Sequence, residues 1–365
     1  MQGKKKILHI VSSVSWRGGE QQAAYLIEEL IDQVESIVLC SKGSEFEKFC
    51  IEKGIKYYSL RKKKRSIDLK YARWIKKICK EQSVDLCHIH DAHSHSYAIL
   101  AATIYGNSTP LILSRRVDFP IKKNWFSSFK YNHPLIVKIL CVSKMIQQIT
   151  AEDIRDKSKL VTVYSGIDLE KFKKPKNILR EEIKIPEQSF LVGNTSALAD
   201  HKDYFTFIDV AEILIKKDPA YYFVIMGDGP MKEQIKSYAK QKNLGDNLTF
   251  TGFRDDIPEV LGDLDLFLIS SKTEGLGTSI LDAFACQVPV VATKAGGIPE
   301  LVENNKTGLL CPVGDGKALS IAVGQLKEDI SLRNKIIENA NKKVQQFSKK
   351  TTAQQTLHQY NEALD

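Results

Sequence analysis

A glutamate, two glycines and a helix-like run form the most chemically specific stretch of the chain, Glu274-Gly275-Leu276-Gly277-Thr278, with a second acid at Asp282. Gly275 and Gly277 would leave backbone N–H groups bare at the start of a helix beginning near Thr278. The helix dipole adds positive potential there, and a diphosphate fits such a place. Glu274 would then project toward whatever the diphosphate carries. Asp282 falls on the first turns of the same helix, and Ser279, three residues before it, also allows a capping-box role. A second anion-tolerant turn is Gly18-Gly19-Glu20, after the first apolar run. It is not GxGxxG, so the nicotinamide and flavin fingerprint is absent. His88, His90, His93 and His95 are spaced closely enough to raise a metal site, yet no carboxylate or cysteine set completes one. Asp263 and Asp265 imitate a metal-binding DxD but flank the start of a predicted strand.

Elements that must position these residues repeat along the chain. Strand-like runs at 5–12, 36–40, 84–90, 110–114 and 136–143 alternate with helical patterns, and the alternation restarts at 189–197, 221–229, 248–252, 264–271 and 288–293. Such alternation predicts α/β architecture with parallel sheets covered on both faces. Two such series predict two Rossmann-like, doubly wound domains, 1–165 and 166–345, joined by a polar linker near 163–177. A terminal helix over 346–365 is expected to return to the first domain. Ligands of open parallel sheets bind beyond the carboxyl ends of the strands, so two facing sheets would put the site in a cleft.

Bulk properties narrow the class. The chain has 365 residues, 43% of them apolar and 27% charged, which fits a globular protein rather than a disordered one. Seven scattered cysteines without a CxxC pair read as reduced thiols in core positions of a cytoplasmic protein. The apolar run after the basic N-terminus is too short for a signal peptide, and no stretch approaches the ~20 residues of a membrane span. Net charge is +9, but residues 1–165 carry 28 basic against 16 acidic residues, or +12. Together with "RKKKR" at 61–65 and Lys122, Lys123 and Lys130, this suggests an anionic membrane face or a phosphorylated substrate. Nucleic acid is disfavoured, because the aromatic and groove-reading motifs are missing.

The second half carries "GDGPMKEQI", "FTGFRDDIPEVL", "SSKTEGLGTSILDAFACQVPVVATKAGGIPELV" and "NNKTGLLCPVGD". In order and spacing these resemble the retaining two-domain glycosyltransferases of family 4, which have the GT-B fold. The "GGE" turn, "HIHDAHSH" and "VYSGIDLEKF" extend the resemblance over nearly the whole chain. It implies transfer of a sugar from a nucleotide-diphosphate sugar, taken as UDP-linked, to a hydroxyl of a glycan or lipid-linked acceptor, without cofactor or metal. The setting implied is lipopolysaccharide or other cell-surface polysaccharide synthesis. Glu274 takes the place of the acid that contacts the donor sugar. Asp282 takes that of the ribose-binding acid, where the family usually has Glu. Lys202 in "ALADHKDY" matches the diphosphate cation, with Ala197 where an Arg is common and His201 beside it. The diphosphate loop covers Gly275, Leu276, Gly277 and Thr278, and Gly252, Phe253 and Arg254 match the nucleobase-lining segment. Arg116 stands where many relatives have a His; it would clamp a phosphate or an acidic acceptor, or else His93 takes the sugar-facing role. A GT-B sugar-nucleotide 2-epimerase and a non-catalytic subunit of a glycan-assembly complex are the alternatives.

Overall fold

β-branched and leucine-rich runs too hydrophobic for a one-sided sheet build the centre of each half of the chain. The computed structural model describes residues 4–61, 67–172 and 177–365. Most of the basic run 61–65 therefore lies outside the described residues. In the first half the strands are β1 (Lys5–Val11), β2 (Val34–Ser41), β3 (Tyr57–Leu60), β4 (Leu86–Ile89), β5 (Leu111–Arg115), β6 (Ile136–Cys141) and β7 (Leu160–Thr162). They form one parallel sheet in the order β3-β2-β1-β4-β5-β6-β7. Side chains alternate across a strand, and in β1 both sets are buried. Leu8 and Ile10 join one apolar cluster, while Ile7 joins another on the opposite face.

In the second half β8 (Phe190–Thr195), β9 (Tyr221–Met226), β10 (Leu248–Gly252), β11 (Leu266–Ile269), β12 (Val290–Thr293) and β13 (Leu309–Cys311) form a second parallel sheet, ordered β10-β9-β8-β11-β12-β13. The chain divides into two units, Met1–Gly166 with Lys349–Asp365, and Ile167–Ser348. These boundaries differ from the sequence expectation by one residue at the linker and three at the terminal helix.

The helix Lys349–Leu364 completes the first unit. Ala353 and Tyr360 enter the same apolar cluster as Ile7, Leu26 and Leu86. Ion pairs Lys349–Glu29 (3.2 Å) and Lys138–Glu362 (2.9 Å) hold it along its length. All seven cysteines are buried free thiols, in keeping with their expected packing role. Among the described residues no helix is long and apolar enough to cross a membrane.

Candidate active site

Strand order reverses between β8 and β11: β9 continues to one side of the pair and β12 to the other. At such a switch point the loops leaving two neighbouring strands diverge and open a crevice at the carboxyl ends. The segment after β8 carries Ala197, His201 and Lys202; the segment after β11 carries Glu274 and the glycines. Hydrogen bonds tie the two together. Lys272 N donates to the His201 carbonyl (2.8 Å) and Ser270 Oγ to the Asp203 carbonyl (2.9 Å), while Thr293 Oγ1 at the end of β12 donates to the Ser271 carbonyl (2.6 Å). Underneath, Asn194 Nδ2 donates to the Leu268 carbonyl (2.6 Å) and Tyr204 Oη donates to Asn194 Oδ1 (2.7 Å), which locks β8 to β11.

On this frame Lys202 Nζ lies 2.6 Å from Glu274 Oε1, and Ser271 Oγ donates to the same oxygen at 2.8 Å. The side chains are only 17% and 9% exposed, so each charge depends on the other for its partner. Gly277 is the N-cap of the helix Thr278–Ala285, at φ +90°, a conformation that a side chain would strain. Behind the glutamate loop, Gly297 N donates to the Glu274 carbonyl (2.9 Å). A Cβ on Gly296 would sit 2.1 Å from that carbonyl oxygen, and one on Gly297 would sit 2.4 Å from the Gly275 oxygen. The "AGG" turn is thus the floor on which Glu274 rests, a role that the pattern of charged residues did not reveal.

Asp282 is the fifth residue of its helix. With Gly277 at the cap, the capping-box position belongs to Ile280, which rules out the capping role that Ser279 suggested. The Asp282 side chain is half-buried, and desolvation pushes its carboxyl up to about 7. Phe253 is 77% exposed and follows Gly252, which has φ +78°. Arg254, in the segment expected to line the nucleobase, has its side chain engaged within the protein. Its guanidinium donates to Asp256 (2.7 Å) and Glu182 (2.8 Å), so its donors are taken up in holding the loop that presents Phe253. Asp263 likewise accepts from the N–H groups of Asn177 and Leu179, and Asp265 pairs with Arg180, so the DxD imitation is structural. A concavity of about 830 Å³ beside these acids lies at the amino ends of β8 and β11, away from Lys202 and Glu274.

In the first unit the switch point falls between β1 and β4. Asp91 joins the two exits: it accepts from Ser12 N (2.6 Å) and Ser12 Oγ (2.7 Å) and caps the helix Ala92–Tyr105 through His93 N and Ser94 N. Gly18 and Gly19 begin the helix Gly18–Glu29, and a Cβ on either would meet nothing within 4 Å. The protein itself therefore imposes no need for glycine there. Glu20 is buried and accepts from Arg17 N (3.0 Å), a helix-capping task. His93 is half-buried on the first turn of its helix, with its ring over Tyr97.

Arg116 is half-buried and donates to the His90 carbonyl (3.3 Å) and to His90 Nδ1 (3.5 Å). Burial lowers it to about 10, a shift that the charge of Glu20 opposes. Because a guanidinium can only donate, neutral His90 must carry its proton on Nε2. That proton points at His9 Nδ1 (3.0 Å), which leaves His9 donating toward Ser36. His88 completes the cluster between Tyr360 Oη (2.6 Å) and Ser114 Oγ (2.8 Å). Burial holds all three imidazoles well below their usual range, His9 down to about 3. His9, His88 and His90 come within reach of one common ion. A cation would have to displace these internal bonds beside Arg116, so the arrangement suits neutral packing. His93 and His95 leave the group because the chain turns helical at Ala92.

Residues 175–343 match the family described as glycosyl transferases group 1, and residues 16–171 match glycosyltransferase family 4. The chain belongs to the group 1 glycosyltransferases. This glycosyltransferase is 27% identical, over 76% of its length and 74% of the relative's, to the N-acetyl-alpha-D-glucosaminyl L-malate synthase of Bacillus anthracis. It is 26% identical to the UDP-Gal:alpha-D-GlcNAc-diphosphoundecaprenol alpha-1,3-galactosyltransferase of Escherichia coli, over 75% of this chain and 76% of that one. In fold it matches the crystal structure of Anabaena Alr3699/HepE in complex with UDP and glucose, with a TM-score of 0.86 and 22% identity over 98% of this chain and 100% of that one. Two parallel-sheet α/β units of seven and six strands are therefore the GT-B architecture that the sequence led us to expect.

Proposed function

We propose that the enzyme moves a sugar from a UDP-sugar to a hydroxyl of a glycan or lipid-linked acceptor, with retention of anomeric configuration, in cell-surface polysaccharide synthesis. The observation that carries this reading is the Lys202–Glu274 pair at the β8/β11 switch point, one turn before a helix start. Breaking the sugar–phosphate bond builds positive charge on the ring and negative charge on the departing phosphate. Lys202 and the N–H groups of residues 275–278 are fixed donors for that negative charge, so the step needs no cofactor or metal. The departing phosphate can take the acceptor's proton, and Glu274 faces the sugar. Asp282 accepts hydrogen bonds from the ribose hydroxyls, and exposed Phe253 is free to stack on the base.

Two relationships support the donor and acceptor classes. The Escherichia coli relative is named for a UDP-galactose donor and a diphosphoundecaprenol-linked acceptor, and the Anabaena structures hold UDP. Arg116, with a charge that cannot be lost near neutral pH, suits a phosphate or acid on the acceptor side. A lipid-linked acceptor and the +12 of residues 1–165 together favour work at the inner face of an anionic membrane. A thermal-shift screen against UDP-, GDP- and ADP-sugars tests the donor. Stabilisation by UDP-sugars alone, followed by UDP release when acceptor is added, is the expected result. Stabilisation by GDP- or ADP-sugars instead would overturn the donor assignment.

A further inference from the structure

We infer that residues 117–129 of the first unit form the surface that seats this enzyme on an anionic lipid bilayer. This inference rests on the reading of a lipid-linked acceptor given above. The helix Trp125–Tyr131 has two unlike sides. Its inner side is pinned: Tyr131 Oη accepts from Arg115 Nη1 (2.8 Å), the Tyr131 ring meets His95 edge-on at 4.7 Å, and the buried Lys130 reaches Ser96 Oγ (3.3 Å). Asn124 caps its start by accepting from Ser127 N (2.8 Å). The outer side is aromatic and uncovered. Trp125 is 79% exposed, with its ring stacked at 5.7 Å and 12° on Phe129, and Phe126 lies beside them. Val117 and Phe119, the latter 57% exposed, extend the apolar surface.

A rigidly held helix with this many bare rings is not ordinary surface. Two features favour lipid over a protein partner. Tryptophan and phenylalanine next to lysine is the composition of interfacial membrane helices, in which rings enter the acyl boundary and cations meet headgroups. Lys122 and Lys123 supply the cations and are exposed at the approach to the helix, while half-buried Asp118 is the one acidic residue from 117 to 131. That sign matches an anionic leaflet, as does the charge of the front half.

Trp16 and Trp74 are both half-buried. Trp16 packs on Phe46 and Phe49, and Trp74 packs on Tyr58, so Trp125 is the one highly exposed indole of three. With phosphatidylglycerol-containing vesicles the wild-type emission should shift blue and be quenched by brominated acyl chains. Trp125→Phe should abolish both effects while binding persists. Trp125→Ser with Phe129→Ser should weaken vesicle binding on the order of 100-fold, about tenfold per ring. Unchanged thermal unfolding and UDP affinity would show that the double variant is folded. If wild-type protein binds vesicles but Trp125→Phe retains the shift, the surface is misassigned and the lysines at 61–65 become the contact. If the protein ignores anionic vesicles yet still turns over a UDP-sugar, the membrane inference falls and the transferase reading stands. Conversion of a dimer to a monomer by the double variant would assign the face to a second copy.

Discussion

Glu274→Gln separates the two tasks of the site, because the carboxylate is bound to the lysine that the donor needs. Lys202 Nζ lies 2.6 Å from Glu274 Oε1. A phosphate oxygen engaging the other side of that ammonium would stand roughly 5 Å from the carboxylate. At an effective dielectric of about 20, two like charges at that separation repel by about 3 kcal/mol. Solvent and salt at a site open to its ligand reduce this figure. The glutamine variant, which keeps the shape and an acceptor for Ser271, should therefore bind UDP ten- to a hundredfold more tightly than wild type. Turnover should fall by on the order of a thousandfold or more, since a carboxylate aimed at the sugar has been removed. The unliganded variant should also lose stability by about 3–5 kcal/mol, the cost of leaving one member of a buried ion pair alone. Calorimetric titration with UDP at low and high salt, UDP-release kinetics and denaturant unfolding of the protein without UDP measure the three in turn. A folded Glu274→Gln enzyme whose UDP affinity is equal to or weaker than wild type would falsify the argument, because the carboxylate would then not compete for Lys202.

Other expectations concern charge and packing around the same loop. Asp282 has its carboxyl raised to about 7, so the folded state holds a proton that the unfolded chain releases near 4; this group's contribution to stability should fall as pH rises through that window. Buried neutral His9, His88 and His90 contribute the opposite slope to both proteins, so between pH 5 and pH 8 the denaturant midpoint should rise more steeply in Asp282→Asn than in wild type, while UDP affinity should rise more steeply with pH in wild type. Gly297→Ala places a methyl 2.4 Å from the Gly275 oxygen and should destabilise by several kcal/mol while weakening UDP binding, read by thermal unfolding and titration. Exhaustive EDTA treatment should leave turnover intact; loss restored by manganese would bring the His9–His88–His90 cluster back as a metal site.

The sequence was most legible where burial is two-sided. Central strands such as β1 and β11 are continuous apolar runs and were visible as such. The missed strands, β3, β7 and β13, are edge strands of four, three and three residues, too short to show a period. The acid and glycines at 274–277 were legible because they are consecutive. Their contact with Lys202 was not, since it spans 72 residues and depends on β8 lying beside β11. The histidines show the same limit. Alternation in "HIHDAHSH" groups four residues, but β4 ends at Ile89 and a helix starts at Ala92, so only His88 and His90 stay together. The third member, His9, comes from β1, where it stands opposite His88 in the ladder.

The Lys202–Glu274 pair also bears on how one site handles two charges. Lys202 is only 17% exposed and has the Glu274 carboxylate as its counter-charge. The carboxylate keeps it aimed. On the proposed reading, a diphosphate replaces Glu274 as the partner of that ammonium. The acid is then released while its loop stays fixed by the Gly297 N–H on the Glu274 carbonyl and the close approach of Gly296. Glu274 would thus turn to the sugar only when a phosphate has arrived to be displaced. Its chemistry is tied to occupancy by one exchange of charge partners rather than by a hinge, and Glu274→Gln breaks that exchange without moving the backbone.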